Sequence, residues 1–273
     1  MMSRWRDRLF WLFVLAFSFS AGATGCDADG TPESVEAQQS DWVEVLKHDI
    51  AAFPHTLAGN AEAAFLDRDN MAALLGAGFA SVAMHNGGAD DHVAEHFEKH
   101  SSFHGCKDET LNIIGSSGTH GAAALLWYLF SRDSGNEVNR QCAEALQRAV
   151  TLNTISFYTL KAARHNETPN GKSWAWPSGH TSSSFTVASV LHEFYGLKVG
   201  IPAYAAAGLV AYRMMDTGDH WASDVAFGAT LGWVVGHSVA RKYKSADVAR
   251  FEILPYFGNY DAPALGISLV RRF

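Results

Sequence analysis

Along most of the chain, apolar residues recur every three to four positions, the period of an α-helix with one buried face. Such runs cover Val43 to Phe53, Ala61 to Met84, Asp91 to His100, Ala122 to Ser131, Asn139 to Arg164, Thr181 to Tyr195, Pro202 to Met215 and Ala222 to Tyr243. Gly196 marks the end of one helix, and Gly200 with Pro202 marks the start of the next, since glycine stops helices and proline fits their first turn. The last two runs are dense in Ala and Gly, which lets helix axes approach closely. None holds eighteen uninterrupted apolar residues, because Arg213, Asp224 and His237 break the best candidates. From Phe251 the pattern changes. Two short strands are expected around a turn at Gly258-Asn259, followed by the alternating stretch from Leu265. One strand pair cannot close a barrel, so this is a surface hairpin on a helical body.

The ends divide the chain further. Arg4, Arg6 and Arg8, the apolar run Leu9 to Phe19, and Ala21-Gly22-Ala23 have the layout of an export signal. The expected domains are a signal peptide over 1–25, a polar tether over 26–41, a helical domain over 42–245 and a hairpin extension over 246–273. Export makes the periplasm the expected location. Ala23-Thr24-Gly25-Cys26 is similar to a lipobox, so Cys26 is a candidate membrane tether, with simple cleavage before it as the alternative. In an oxidising compartment the other two cysteines, Cys106 and Cys142, are expected to pair.

A chain of 273 residues, 48% of them hydrophobic, can bury one large core. Its net charge of -7 argues against nucleic acid as a partner. Against that background the cations Lys161, Arg164, Lys172 and Arg213 are notable. His92, His96, His100 and His104 recur at every fourth position, but they are read as a solvated helix face; neither a metal nor a cofactor is expected.

Candidate chemistry lies in two segments. Trp176-Pro177-Ser178-Gly179-His180-Thr181 reads as a turn opening into a helix, where unpaired N–H groups and the helix dipole favour an oxyanion such as phosphate. Forty residues later, His220-Trp221-Ala222-Ser223-Asp224 places an imidazole and a carboxylate four apart, on one helix face. A histidine at an anion cradle and a second one backed by a carboxylate suit phosphoryl transfer.

These segments resemble the second and third signature motifs of the type 2 phosphatidic acid phosphatase and vanadium haloperoxidase superfamily. That family has Lys-x6-Arg-Pro first, then Pro-Ser-Gly-His, then Ser-Arg-x5-His-x3-Asp. Lys161 and Pro169 match the first motif, but Thr168 stands at its arginine; His220 and Asp224 match the third, but Met214 stands at its arginine, with Arg213 one residue early. The likeness covers roughly residues 105 to 245. It implies an all-α helical bundle of the acid phosphatase/haloperoxidase type. It also implies metal-independent hydrolysis of phosphomonoester or pyrophosphate groups, of a phosphorylated lipid or a small phosphomonoester, through a phosphohistidine. In that scheme His220 is the nucleophile, Asp224 its orienting partner and His180 the general acid, while Lys161, Ser178, Gly179 and Arg213 hold phosphate. Arg164 or Lys172 is the nearest stand-in for the arginine missing at Thr168. Two alternatives remain: a non-catalytic binder of phosphate or anionic lipid with the same fold, and a vanadate-dependent haloperoxidase.

Overall fold

A computed structural model describes residues 47, 51–103, 105–131, 136–248, 251–257 and 265–271. The chain divides into two units, Met1–Thr56 and Leu57–Phe273. Of the first, residues 47 and 51–56 are described, all helical. The expected export signal, the polar tether and Cys26 lie outside the described residues.

The second unit is helical from 57 to 248. Its elements are α1 (57–65), α2 (Arg68–Asn86), α3 (Ala89–His100), α4 (Cys106–Ile114), α5 (Ser117–Ser131), α6 (Glu137–Arg164), α7 (Gly179–Tyr195), α8 (Leu197–Asp216) and α9 (Ala222–Val248). The strands β1 (Phe251–Phe257) and β2 (Leu265–Arg271) pair antiparallel, Phe251 opposite Arg271 and Phe257 opposite Leu265. This is the all-α bundle with a C-terminal hairpin expected from the sequence. Among the described residues, no helix is long and apolar enough to cross a membrane.

The central pair is α7 against α9, and glycine explains it. Gly228, Gly232 and Gly236 recur every fourth residue and form one stripe on α9. A Cβ on Gly228 would stand 2.7 Å from the Ser178 carbonyl oxygen, and one on Gly236 would stand 2.6 Å from that of Thr186. At Gly232 the Ser182 carbonyl comes closer still. The two backbones therefore touch without side chains between them. Around this seam Val150 and Phe157 of α6, Val190 of α7, and Leu231, Val234, Val235 and Val239 of α9 make the main core. Each such side chain contributes about 1.5–3 kcal/mol when fully buried. Helices α6 and α8 pack on α7, and α2 packs on α9.

Several boundaries differ from the periodicity. The run from Ala61 to Met84 is broken at Leu66-Asp67, because the Asp67 side chain accepts from the N–H groups of Asp69 and Asn70 and so starts α2 afresh. Helix α8 begins at Leu197, directly after Gly196, so Pro202 lies inside it rather than at its start. Helix α4 was not anticipated; only nine residues long, it has too few apolar positions to show a clear period.

The cysteine pairing is also corrected. Cys142 is a free thiol with no exposed surface, and burial pushes its pKa up to about 12 despite a hydrogen bond with Tyr195. Its environment is the apolar face of α6. Counting cysteines gave no information about that.

Candidate active site

Two helix N-termini meet at the seam between α7 and α9. Ser178 caps α7: its Oγ accepts from the Thr181 N–H and donates to Thr181 Oγ1 at 3.0 Å. Its own N–H donates to the Asp224 carbonyl at 3.1 Å, so both motifs are joined backbone to backbone. Ser182 donates back to the Ser178 carbonyl, while Gly179 and His180, earlier in the first turn, have no intrahelical acceptor for their N–H groups. Gly179 has a packing reason as well. A Cβ there would stand 3.0 Å from the Phe157 ring.

At the start of α9, Asp224 Oδ2 accepts from the Trp221 N–H at 3.0 Å and faces His220 Nδ1 at 3.4 Å. The latter is long for a hydrogen bond. It turns Nδ1 to the carboxylate and leaves Nε2 as the ring's other nitrogen. The pKa of His220 is lowered, first by burial and then by the charge of Lys161, with Asp224 opposing. His180 is depressed to about 4, again by burial first and then by the charges of His220 and Arg213. A hydrogen bond between its ring and the Asn112 backbone works the other way. Both imidazoles are neutral at pH 7 in the free protein.

Lys161 is buried near the C-terminus of α6, and its Nζ donates to the carbonyls of Trp174 and, at 3.1 Å, Ala175. Burial lowers its pKa to about 8, and the Asp224 charge partly restores it. The structure therefore brings together His180, His220, Asp224, Lys161, Ser178 and Gly179.

The two departures from the family pattern resolve in different ways. Met214 is almost fully buried in a second apolar cluster with Ala211, Val225 and Phe185. One residue earlier, about 100° round the helix, Arg213 points instead to charge. Its Nε and Nη2 contact Asp108 Oδ1 at 2.6 and 2.5 Å, and its Nη1 reaches Asp219 Oδ2 at 2.7 Å. The extra residue between Arg213 and His220 is absorbed in a turn. There Thr217 and Gly218 donate back to Arg213 and Met215, Gly218 takes φ +67°, and the His220 N–H reaches the Met214 carbonyl.

At Thr168 the arginine is replaced by a turn builder. Thr168 Oγ1 donates to Asn170 Oδ1 at 2.7 Å and accepts from the Lys172 N–H at 2.9 Å. The loop so formed docks on the α8–α9 turn, where the Asn170 N–H donates to the Gly218 carbonyl. Lys172 Nζ then reaches Asp219 Oδ1 at 2.6 Å. Arg164, by contrast, lies over the Trp176 ring at 5.2 Å. Of the two candidates, Lys172 is the cation that turns to the motif-three turn.

Sequence reasoning missed four contributors. Asp108 and Asn112, both on α4, hold Arg213 and the His180 ring. Asp219 binds both outer cations. Asp90, fully buried, caps α9 by accepting from the Ser223 N–H at 2.9 Å and its Oγ at 2.6 Å, and it faces His85 Nδ1 at 3.1 Å. The α4 residues had a signal: Gly105 before an acidic first turn and Gly115 after Ile114 are ordinary helix limits. Four aromatic residues lie in or near the two motifs. Trp176 and Phe185 pack inward, whereas Trp174 is exposed and Trp221 Nε1 donates to the Glu167 carbonyl at the rim.

The histidine stripe stays on the surface: His92, His96 and His100 are exposed. His104 lies outside the described residues, among which no three His, Cys, Asp or Glu side chains converge as a metal cage.

Residues 116–246 match the family model of the PAP2 superfamily. A lipid A 1-phosphatase of Porphyromonas gingivalis is 35% identical over 65 residues, 23% of this chain and 15% of that protein's length. The match thus spans under a sixth of that relative. Among solved structures, Aquifex aeolicus LpxE is similar at TM-score 0.43 and 22% identity, over 54% of this chain and 93% of its own. A transmembrane PAP2-type phosphatidylglycerolphosphate phosphatase from Bacillus subtilis is similar at TM-score 0.46 and 17% identity, over 64% and 96%.

Proposed function

We propose that this protein is a metal-independent phosphatase that removes phosphomonoester or pyrophosphate groups from a phosphorylated lipid, through a phosphohistidine. The observation that carries this reading is the His220–Asp224 pair at the start of α9, bonded through the Asp224 carbonyl to the capped start of α7 that bears His180. His220 Nε2 attacks phosphorus as the bond to the leaving oxygen breaks, and Asp224 stabilises the positive ring that results. His180 gives its proton to the leaving oxygen. It then takes one from the water that attacks phosphorus and releases His220. The N–H groups of Gly179 and His180 at the helix start, with Lys161 and Arg213, stabilise the charge on the equatorial oxygens. The Ser178 hydroxyl acts through the cap that sets this helix start.

Local likeness to a lipid A 1-phosphatase supports a lipid phosphate as the substrate, as does the exposed Trp174 beside Lys172. One observation favours a rival, the binder without turnover: the outer cations already hold a carboxylate. The deciding experiment is a panel of lipid and soluble phosphates offered to the purified protein in excess EDTA. Turnover that persists in chelator and is blocked by vanadate is expected. Turnover lost in EDTA and restored by metal overturns the metal-independent mechanism; phosphate binding without turnover leaves the binder.

A further inference from the structure

Asp219 is the residue before His220, and nothing in the phosphatase mechanism uses it. Yet its carboxylate is the most heavily bonded in the site. Oδ1 accepts from Lys172 Nζ at 2.6 Å and Asn170 Nδ2 at 2.9 Å; Oδ2 accepts from Arg213 Nη1 at 2.7 Å and Thr217 Oγ1 at 3.1 Å. Two cations and two neutral donors around two oxygens are the set that a phosphate group would recruit.

The cations concerned are the two that stand nearest to the arginines missing from the family pattern. Arg213 is held on its Nε and Nη2 by Asp108, so Nη1 is the corner that faces the motif-three turn, and Asp219 occupies it. Lys172 is exposed along its stem, and its ammonium ends on the same carboxylate. Three cations, Lys161, Arg213 and Lys172, thus meet three carboxylates, Asp108, Asp219 and Asp224. A phosphate dianion entering the site finds its outer clamp already neutralised. Asp219 is also placed to yield. Its side chain keeps 19% of its surface exposed, and it sits on a turn next to Gly218 rather than inside a helix.

We propose that Asp219 is a specificity-determining residue: an internal anion that competes with the phosphate group for Arg213 and Lys172 and so sets how tightly phosphate is held. The proposal rests on the phosphatase reading for the place of the phosphate, and it concerns affinity rather than the bond-breaking steps. A free phosphate must displace Asp219 with only the helix-start N–H groups and Lys161 to offset the loss. A substrate carrying a large apolar group has further binding energy to do so. Asp219 therefore disfavours retention of inorganic phosphate, the product, relative to substrate.

The test is calorimetric titration of the full-length protein with inorganic phosphate, alongside KM and kcat on a hydrolysed phosphoester. Asp219→Asn keeps the shape and removes the charge. It should bind phosphate roughly tenfold to a hundredfold tighter, and KM should fall more than kcat changes. The gain should shrink when Lys172→Ala is added, which a merely structural role for Asp219 would not produce. Asp219→Ala and Asp219→Ser repeat the measurement with different shapes. Failure of all three to fold overturns the proposal, because a carboxylate that only competes for cations is dispensable for folding. If the wild type turns over substrate but the variants hold phosphate no tighter, the proposal falls and the phosphatase reading stands. If the variants bind tighter and no protein turns over, the proposal stands and the catalytic reading falls. If none of them shows either phosphate binding or turnover, both are overturned.

Discussion

The Ser178 N–H and the Asp224 carbonyl oxygen lie 3.1 Å apart, and this bond fixes the starts of the two helices that carry His180 and His220. Register between them is then maintained by the glycine stripe of α9 rather than by interlocking side chains. That division has a measurable consequence. Gly232→Val forces a branched side chain against the Ser182 carbonyl and the Phe185 Cβ. Overpacking of this kind should cost about 2–4 kcal/mol and lower the melting temperature by several degrees. Thermal denaturation followed by circular dichroism checks it; a melting temperature within a degree of wild type would mean that the helices can separate freely.

The pH dependence of turnover follows from His180. Its pKa of about 4 in the free protein means that the acid form needed to protonate a leaving group is a minority at pH 7. For a substrate with a poor leaving group, kcat/KM should fall as pH rises above about 4, approaching tenfold per unit. For an activated aryl phosphate the limb should be shallow, because a good leaving oxygen needs no proton. Parallel profiles on the two substrates would remove His180 from the role of acid.

Stability should respond to the same pH range. His120 Nδ1 contacts Ser183 Oγ at 2.8 Å, and burial lowers its pKa to about 4, as for His180. A histidine whose folded pKa lies below its unfolded value of about 6.5 leaves stability intact above that pH. Stability is then lost as pH falls towards 4, since the unfolded chain binds the proton first. The loss is at most about 3 kcal/mol per histidine. Denaturant titrations at pH 7 and pH 4.5 should show a smaller difference for His120→Asn than for wild type.

Individual residues are separable by kinetics. His220→Ala should abolish turnover, and Asp224→Asn should reduce it by about three to four orders of magnitude with the helix start still capped. Arg213→Ala should lower kcat/KM about ten- to a hundredfold, the worth of one charge-assisted contact. Thr168→Arg should destabilise the fold, because Thr168 is buried and its hydroxyl builds the 168–172 turn. Steady-state kinetics with a melting curve for each variant distinguishes lost chemistry from lost structure.

How much of this was legible in the chain depends on the range of the interaction. The helix starts at Ser178 and Ala222 could be read because capping residues, glycine and the i, i+4 pair His220–Asp224 are local. The bundle could be read because its apolar period spans long helices. The partner of Arg213 could not, since Asp108 is more than a hundred residues away on a helix too short to show a period. Asp219 was invisible for a similar reason: an acidic residue next to a histidine has no chemistry until Lys172 and Arg213 are folded onto it. Arg164 and Lys172 are equivalent around Thr168 in the sequence; the Trp176 ring under Arg164 and the Asp219 carboxylate at Lys172 separate them.

Cys142 gives the protein a built-in reporter of its own opening. The thiol is free and has no exposed surface, and burial keeps it protonated far above neutral pH. An alkylating reagent reaches it only when α6 parts from the core around it, so labelling counts opening events rather than surface encounters. With the other two cysteines replaced, the labelling rate in native buffer would give the free energy of that opening, and binding of phosphate at the distant helix starts should slow it.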